Sequence, residues 1–291
     1  MYNLIISNIP KFLKNFLIFF PILISKNSID NQIILDLIFG FLIFCSITFI
    51  IYITNDFIDH KKDQINILKK NKNKSFFSKS QIIYLNLCFL PILFLSVKLD
   101  LFSSYLILYI FSFYIYTFKT KFIKFLDLIF LNSFYIFRLL YGCDLVGIEI
   151  SYWFIIFFST LFFILSIFKR IIQIKINNLK KINKIISYSY KDISLLKKFI
   201  FNLIFINSLT FLFYIFQSEI FYLQILSSNS TYINFDKTSY MIIFFIYLLN
   251  LIILTKKVFK ENIKKDIFNF VINDRLIILC LALIFFILII R

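Results

Sequence analysis

Glycine and proline are nearly missing from this chain. Of its 291 residues only Gly40, Gly142 and Gly147 are glycine, and only Pro10, Pro21 and Pro91 are proline. That leaves little material for the interrupted helices on which many transporters build their substrate sites, and no internal repeat is found. A channel or secondary transporter is therefore disfavoured. The four cysteines, Cys45, Cys88, Cys143 and Cys280, lie in or beside apolar stretches without paired spacing. This argues against a disulfide framework or a zinc site and leaves them as packing residues. Histidine occurs once, at His60, and the 15 acidic residues are outnumbered by 32 Lys and Arg, a formal net charge of +17. In a soluble protein such an excess would point to nucleic acid. Here most of the basic residues stand in short segments between apolar runs, where topology and anionic headgroups account for them, so no nucleic-acid partner is expected.

What is abundant is apolar surface: 60% of the residues are hydrophobic and 21% aromatic, with a mean hydropathy of +0.88. These values describe an integral membrane protein, and the length supplies about nine spans of roughly 20 residues each. Apolar runs lie near 12–26, 33–54, 81–97, 101–117, 122–141, 151–168, 199–216, 239–255 and 276–290. None shows the alternation of a barrel strand, and lipid forces each segment to satisfy its own backbone. The expected fold is all-α, a multi-pass bundle of about nine helices forming one membrane domain over residues 1–291. Lys11 and Lys14, followed by an apolar stretch, mimic a signal peptide, but Ser25-Lys26-Asn27-Ser28 lacks a small-x-small cleavage pattern, so that run reads as the first span. Lysines crowd the connections after runs two, four, six and eight, while the alternate loops hold little beyond Lys26, Lys98 and Lys237. The positive-inside bias places the amino terminus and the basic loops in the cytoplasm, with the protein in the inner (cell) membrane.

The chemistry concentrates directly behind run two, in Asn55-Asp56-Phe57-Ile58-Asp59-His60-Lys61-Lys62-Asp63. On a helix, Asp56, Asp59 and Asp63 fall within roughly 60° of one another and span about 10 Å. The bland reading is a solvated helix end balanced by Lys61 and Lys62. The phasing, the adjacent Asn55 and the lysine clusters on other loops of the same side favour Mg²⁺ held by carboxylates, with a substrate diphosphate completing its shell. Arg138 is a charge inside an apolar run, and reads either as a functional group or as a side chain snorkelling outward. His60 sits at the edge of the acidic face. Asp127 and Asp144 receive no role.

Asn-Asp-x-x-Asp-x-x-x-Asp at the end of the second helix resembles the first aspartate-rich motif of the UbiA superfamily of intramembrane prenyltransferases. The likeness is strongest to its branch of decaprenyl-phosphate phosphoribosyltransferases, and it extends over nearly the whole chain. Phe12-Leu13-Lys14-Asn15 is similar to that branch's Trp-x-Lys-Asn, Tyr114 through Lys119 to its Tyr-Ser-x-x-Leu-Lys, and Phe137-Arg138-Leu139-Leu140-Tyr141-Gly142 to its Leu-Arg-x-x-x-Gly. Ile150-Ser151-Tyr152-Trp153, Phe168-Lys169-Arg170 and Asn273-Asp274-Arg275 resemble its Ile-Ser-x-Trp, Gly-Lys-Arg and Asp-Arg. Gln173 departs from the usual Glu, Phe12 from the usual Trp, and 66–74 lacks the His-Pro and Arg-Pro pairs of relatives.

The resemblance implies a Mg²⁺-dependent transferase moving 5-phosphoribose from phosphoribosyl diphosphate to a polyprenyl phosphate. Asp56, Asp59 and Asp63 would hold the metal, and Lys119 would add a cation to the leaving diphosphate. Asn55, Lys14, Asn15 and Arg138 would bind substrate, with Lys169 and Arg170 on the lipid phosphate. A cationic segment where aromatic prenyltransferases carry a second acidic motif suits a phosphorylated acceptor. The alternative is prenyl transfer from a polyprenyl diphosphate to an aromatic or other acceptor. From outside the superfamily, a transporter whose acids bind a coupling ion stays open.

Overall fold

The computed structural model describes residues 12–24, 30–59, 78–148, 150–179, 188–225, 233–260 and 274–290. Among them every regular element is helical and no strand occurs. A 3-10 segment, Leu13–Phe19, runs into α1, Phe20–Ile24. It is followed by α2, Asn31–Ile58; α3, Lys79–Leu87; α4, Phe89–Lys98; α5, Ser104–Phe118; a 3-10 turn, Thr120–Phe122; and α6, Leu126–Val146. The chain continues through α7, Tyr152–Leu179; α8, Asp192–Ile225; α9, Ile233–Lys260; and α10, Arg275–Ile290. Taking α3 with α4, and the first 3-10 segment with α1, these described elements match the apolar runs of the sequence one for one. Six are long and apolar enough to cross a membrane: Asn31–Ile58, Lys79–Lys98, Leu126–Val146, Tyr152–Ile176, Asp192–Ile215 and Ser239–Lys260. The described helices pack as two compact units, the first holding the elements from Leu13 to Val146 and the second those from Tyr152 to Ile290.

Short polar side chains begin three helices of the first unit. Asp30 caps α2, Ser78 and Gln81 form a reciprocal capping box on α3, and Ser103 caps α5 through the Tyr105 amide at 3.2 Å. Each satisfies amide donors that a helix start leaves unpaired. The break between α3 and α4 falls at Cys88, three residues before Pro91. A proline ring lacks the N–H and clashes with the carbonyl four residues back, here Leu87, which is where α3 ends. Along α2, Leu37, Gly40, Phe44, Ile47 and Ile51 recur at three- and four-residue steps and are buried. That spacing forms one helical face. It packs against the first 3-10 segment and α6, with Phe44 4.8 Å from the Tyr109 ring and 5.6 Å from Tyr141. Asp144, at the end of α6, accepts a hydrogen bond from Ser103 and so ties α6 to the start of α5.

In the second unit α8 packs along α7, and Asn207 on α8 donates to the Phe157 carbonyl and the Thr160 hydroxyl of α7, both at 2.8 Å. Tyr247 of α9 donates to the Asn207 carbonyl oxygen, so one amide joins three helices. Asp274 precedes α10 and pairs with Lys257 of α9. Burial works to raise the Asp274 pKa, but the bonds from Lys257 and the Ile277 amide outweigh it and hold the carboxyl below its ordinary range.

The connection from α5 to α6 is strained. Phe125 has φ +66°, ψ −44°, and the Leu126 amide donates back to the Lys124 carbonyl at 2.9 Å. This is a γ-turn with positive φ, a rare conformation that costs a bulky residue roughly 1–3 kcal/mol. Phe125 is 41% exposed, so truncation forfeits little packing. Phe125→Gly is therefore expected to raise the melting temperature of the detergent-solubilised chain, despite the greater freedom glycine brings to the unfolded state. A lowered melting temperature would show that the turn is not strained.

Candidate functional site

The end of α2 is polar on one side. Cys45, Thr48, Tyr52, Asp56 and Asp59 step along it by three or four residues, a stripe about 20 Å long at 1.5 Å per residue. Asp59 is the C-cap: its amide donates to the Asn55 carbonyl at 2.9 Å. Its side chain is buried, 6% exposed, and paired with Lys121 from the 3-10 turn Thr120–Phe122. Asn55 and Asp56 are half-buried beside it. A helix carries partial negative charge at its C-terminus, so two acids there oppose the dipole, each by roughly 0.3–1 kcal/mol. Lys121 offsets part of that cost, having been brought to Asp59 by the turn after α5.

A second polar cluster lies deeper in the same unit. Arg138 of α6 is 2% exposed and does not snorkel outward. Its Nε donates to Asn15 Oδ1 at 2.9 Å, its Nη2 to the Tyr109 hydroxyl at 2.6 Å and the Tyr52 hydroxyl at 3.3 Å, and its Nη1 to the Phe134 carbonyl. Aromatic faces surround it, with the guanidinium carbon 4.9 Å from the Tyr109 centroid, 5.6 Å from Phe44 and 5.9 Å from Tyr135. Asn15 is fully buried and passes the network on, donating to Thr48 Oγ at 2.9 Å and Cys45 Sγ at 3.3 Å. The neighbouring Lys14 lies 5.8 Å from the Tyr135 ring. Lys14, Asn15 and Arg138 therefore come together, and Thr48 and Tyr52 join them to the acidic end of α2.

Between the two clusters α3 and α5 add polar support. Asn86 donates to Thr54 at 3.2 Å and accepts from the Tyr114 hydroxyl at 2.7 Å. Asp127, fully buried at the start of α6, accepts from the Tyr116 hydroxyl at 3.2 Å. An open apolar cleft of about 430 Å³ runs beside α2, lined by Phe12, Leu42, Cys45, Phe49, Ile50 and Ile92. Cys45 belongs both to this cleft and to the Asn15 network.

Other sequence candidates fall differently. Lys119 is exposed at the C-cap of α5, and Lys121 rather than Lys119 meets Asp59. α2 ends at Ile58, and Asp63, His60, Lys61 and Lys62 lie outside the described residues. In the second unit, Lys169 is half-buried and Arg170 buried on α7, where Arg170 donates to Gln173. No three acidic, histidine or cysteine side chains cluster among the described residues. Asp56 and Asp59 nonetheless offer the hard oxygen donors that Mg²⁺ takes, one or two carboxylates with the remainder supplied by water and substrate phosphate. The sequence reading passed over Thr48, Tyr52, Tyr109 and Lys121. The first two could have been found by stepping back from Asp56 in turns of four.

No family model matches the chain, and no curated protein matches it.

Proposed function

We propose that the chain is a membrane-embedded transferase of the UbiA kind, moving 5-phosphoribose from phosphoribosyl diphosphate to a polyprenyl phosphate at the acidic end of α2. One observation carries the reading. Asp59, which opposes the dipole of a largely apolar helix, is buried and matched by a lysine from a distant turn, at the end of a polar stripe that leads to Arg138. Acids set at such an end are costly unless they hold cations.

Asp56 and Asp59, with Asp63, would hold Mg²⁺, which when bound supplies charge neutralisation to a departing diphosphate. The chain's own residues do the rest. Lys119 would place positive charge where the diphosphate accumulates negative charge. The bond from C1 of the ribose to the diphosphate oxygen breaks, its electron pair leaving with the diphosphate. A phosphate oxygen of the acceptor forms the new bond to C1. That oxygen is already anionic at neutral pH, so no general base is needed and His60 stays out of the chemistry. Phenylalanine-rich surfaces such as the α2 cleft suit an isoprenoid tail. Lys169 and Arg170 are the residues the resemblance assigns to the acceptor's phosphate. Arg170→Met is expected to raise the KM for polyprenyl phosphate about tenfold or more with the donor KM unchanged. A KM left as in the wild type would remove Arg170 from the acceptor site.

The test of the whole reading is an assay of the purified chain in lipid with Mg²⁺, labelled phosphoribosyl diphosphate and polyprenyl phosphate. Formation of a phosphoribosylated lipid supports it. Turnover of a labelled prenyl diphosphate alone would overturn it in favour of prenyl transfer. Solute uptake by proteoliposomes without a covalent product would end both enzyme readings.

A further inference from the structure

Contacts at Phe259 bring three span ends of the second unit to one level. Lys175 lies near the end of α7, Lys197 near the start of α8 and Phe259 in the last turn of α9. Lys175 Nζ donates to the Val258 carbonyl at 2.8 Å and the Phe259 carbonyl at 3.0 Å, and so meets the negative end of the α9 dipole. Lys197 Nζ stands over the Phe259 ring, 4.9 Å from its centroid. The two ammoniums therefore flank one residue and repel each other. Acids at this end are engaged elsewhere: Asp274 pairs with Lys257, and Asp192 accepts from the Ser189 amide at 2.7 Å and hydroxyl at 3.0 Å. Among the described residues no carboxylate pairs with Lys197.

Toward the middle of the spans the surface below these lysines is apolar and uncovered. α8 carries Phe201 and Phe205 one and two turns on from Lys197, 60% and 65% exposed, and the Phe201 ring lies 5.9 Å from Phe259. α9 runs the opposite way and adds Ile252, 49% exposed, two turns back from Phe259 on the same face. Cations at the end of a span above a bare apolar stripe complement one chemistry, an anionic headgroup whose hydrocarbon lies along the helices. A soluble anion would leave the stripe unused. The lysine bias of the sequence assigns this end to the cytoplasmic leaflet, where anionic phospholipid concentrates. The seat proposed for the acceptor's phosphate is a different one, since Arg170, five residues before Lys175, points about 140° away around α7.

We infer that Lys197 and Lys175, with the edge formed by Phe201 and Phe259 below them, seat the phosphodiester of an anionic phospholipid whose acyl chains run along Phe205 and Ile252. The phosphate sets negative charge between two cations that otherwise repel, so the lipid ties the ends of α7, α8 and α9 together. The site is independent of the transfer chemistry and stands whatever reaction the chain performs.

The test is a thermal melt of the full chain in nanodiscs of phosphatidylcholine, with or without a minor fraction of phosphatidylglycerol. The anionic lipid is expected to raise the melting temperature of the wild type by roughly 3–8 °C, as a ligand bound only to the folded state does. Lys197→Gln should lose most of that rise, yet melt no lower than the wild type in phosphatidylcholine alone, because it also removes the repulsion from Lys175. Lys198→Gln, an equal change of net charge on the next residue, should keep the rise. Equal losses in the two variants would make the effect a diffuse surface attraction and overturn the site, as would a rise that survives Lys197→Gln or a wild type indifferent to phosphatidylglycerol. Inorganic phosphate added to phosphatidylcholine discs should give no rise that depends on Lys197, and an equal rise would mean an anion site that ignores hydrocarbon. If Lys197→Gln instead abolished the response to polyprenyl phosphate and kept that to phosphatidylglycerol, the lysines would belong to the acceptor and the inference would fall.

Discussion

Gly142→Ala should unseat the amino-terminal segment of the first unit and lower its melting temperature by roughly 6–15 °C. An added Cβ would stand 2.2 Å from the Ile18 carbonyl oxygen and 2.9 Å from its carbon. Those atoms are backbone, and Ile18 is fully buried in the core with Phe44 and Tyr141, so no side-chain rotation relieves the clash. The 3-10 segment Leu13–Phe19 must move as a body, and at 7 residues it already exceeds the usual length of such helices. Moving it stretches the Asn15 bonds to Arg138 and Thr48. Overpacking costs about 1–3 kcal/mol, and weakening a hydrogen bond to a buried charge adds about 1.5–3 kcal/mol. For a chain of this size the sum corresponds to the stated shift. Two other glycines serve as controls. A Cβ at Gly147, which has φ +69°, meets nothing within 4 Å and pays only for its left-handed backbone. At Gly40 the nearest atom, 2.4 Å away, is the tip of the Leu145 side chain, which can rotate aside. A thermal melt in which Gly142→Ala is no worse than Gly147→Ala would refute the close approach of Ile18 to α6.

How far the sequence anticipates this molecule depends on whether a signal is local. The spans are legible because an apolar run of about 20 residues has one viable conformation in lipid. The apolar run ending at 54 becomes a helix ending at Ile58, since the acids of its last turn still satisfy its backbone bonds. Pro91 was visible as a residue but not as the hinge between α3 and α4, which follows from its clash with Leu87. Asn55, Asp56 and Asp59 are neighbours by helical phase, so their juxtaposition is also local. The choice between Lys119 and Lys121 is not, because both sit in an irregular turn where no period tells which way a side chain points. Arg138 announces itself as a charge in an apolar run, yet its inward direction depends on Asn15 and Tyr109, residues 123 and 29 positions away in sequence. Asp127 and Asp144, without a role in the sequence, find Tyr116 and Ser103 by tertiary packing alone. The division into two units likewise depends on contacts that no single segment encodes.

Asp59→Asn and Lys121→Met should have opposite consequences if the pair serves a cation site rather than stability. As a structural ion pair the two groups are equivalent, so either replacement would cost stability alone, and the exchange Asp59→Lys with Lys121→Asp would restore the wild type. As a metal-binding carboxylate held in reserve by a lysine, Asp59 is indispensable and Lys121 is a competitor. Asp59→Asn is then expected to lower phosphoribosyl transfer by roughly 10²–10³-fold, the usual loss when a group stabilising a departing anion is removed. Asp56→Asn should behave alike. Lys121→Met frees the paired oxygen of a carboxylate whose side chain is only 6% exposed, and an unmatched acid there attracts a divalent ion more strongly. The Mg²⁺ concentration giving half-maximal turnover should therefore fall about threefold to tenfold, while the apo chain melts lower because an unpaired buried charge remains. Adding Mg²⁺ should recover the lost melting temperature in Lys121→Met and leave Asp59→Asn unmoved. The charge exchange should fold but stay inactive, since its carboxylate now hangs from the turn instead of α2. Equal stability losses with Mg²⁺-independent melting in both single variants would return Asp59 and Lys121 to the role of a plain strut between α2 and the turn after α5.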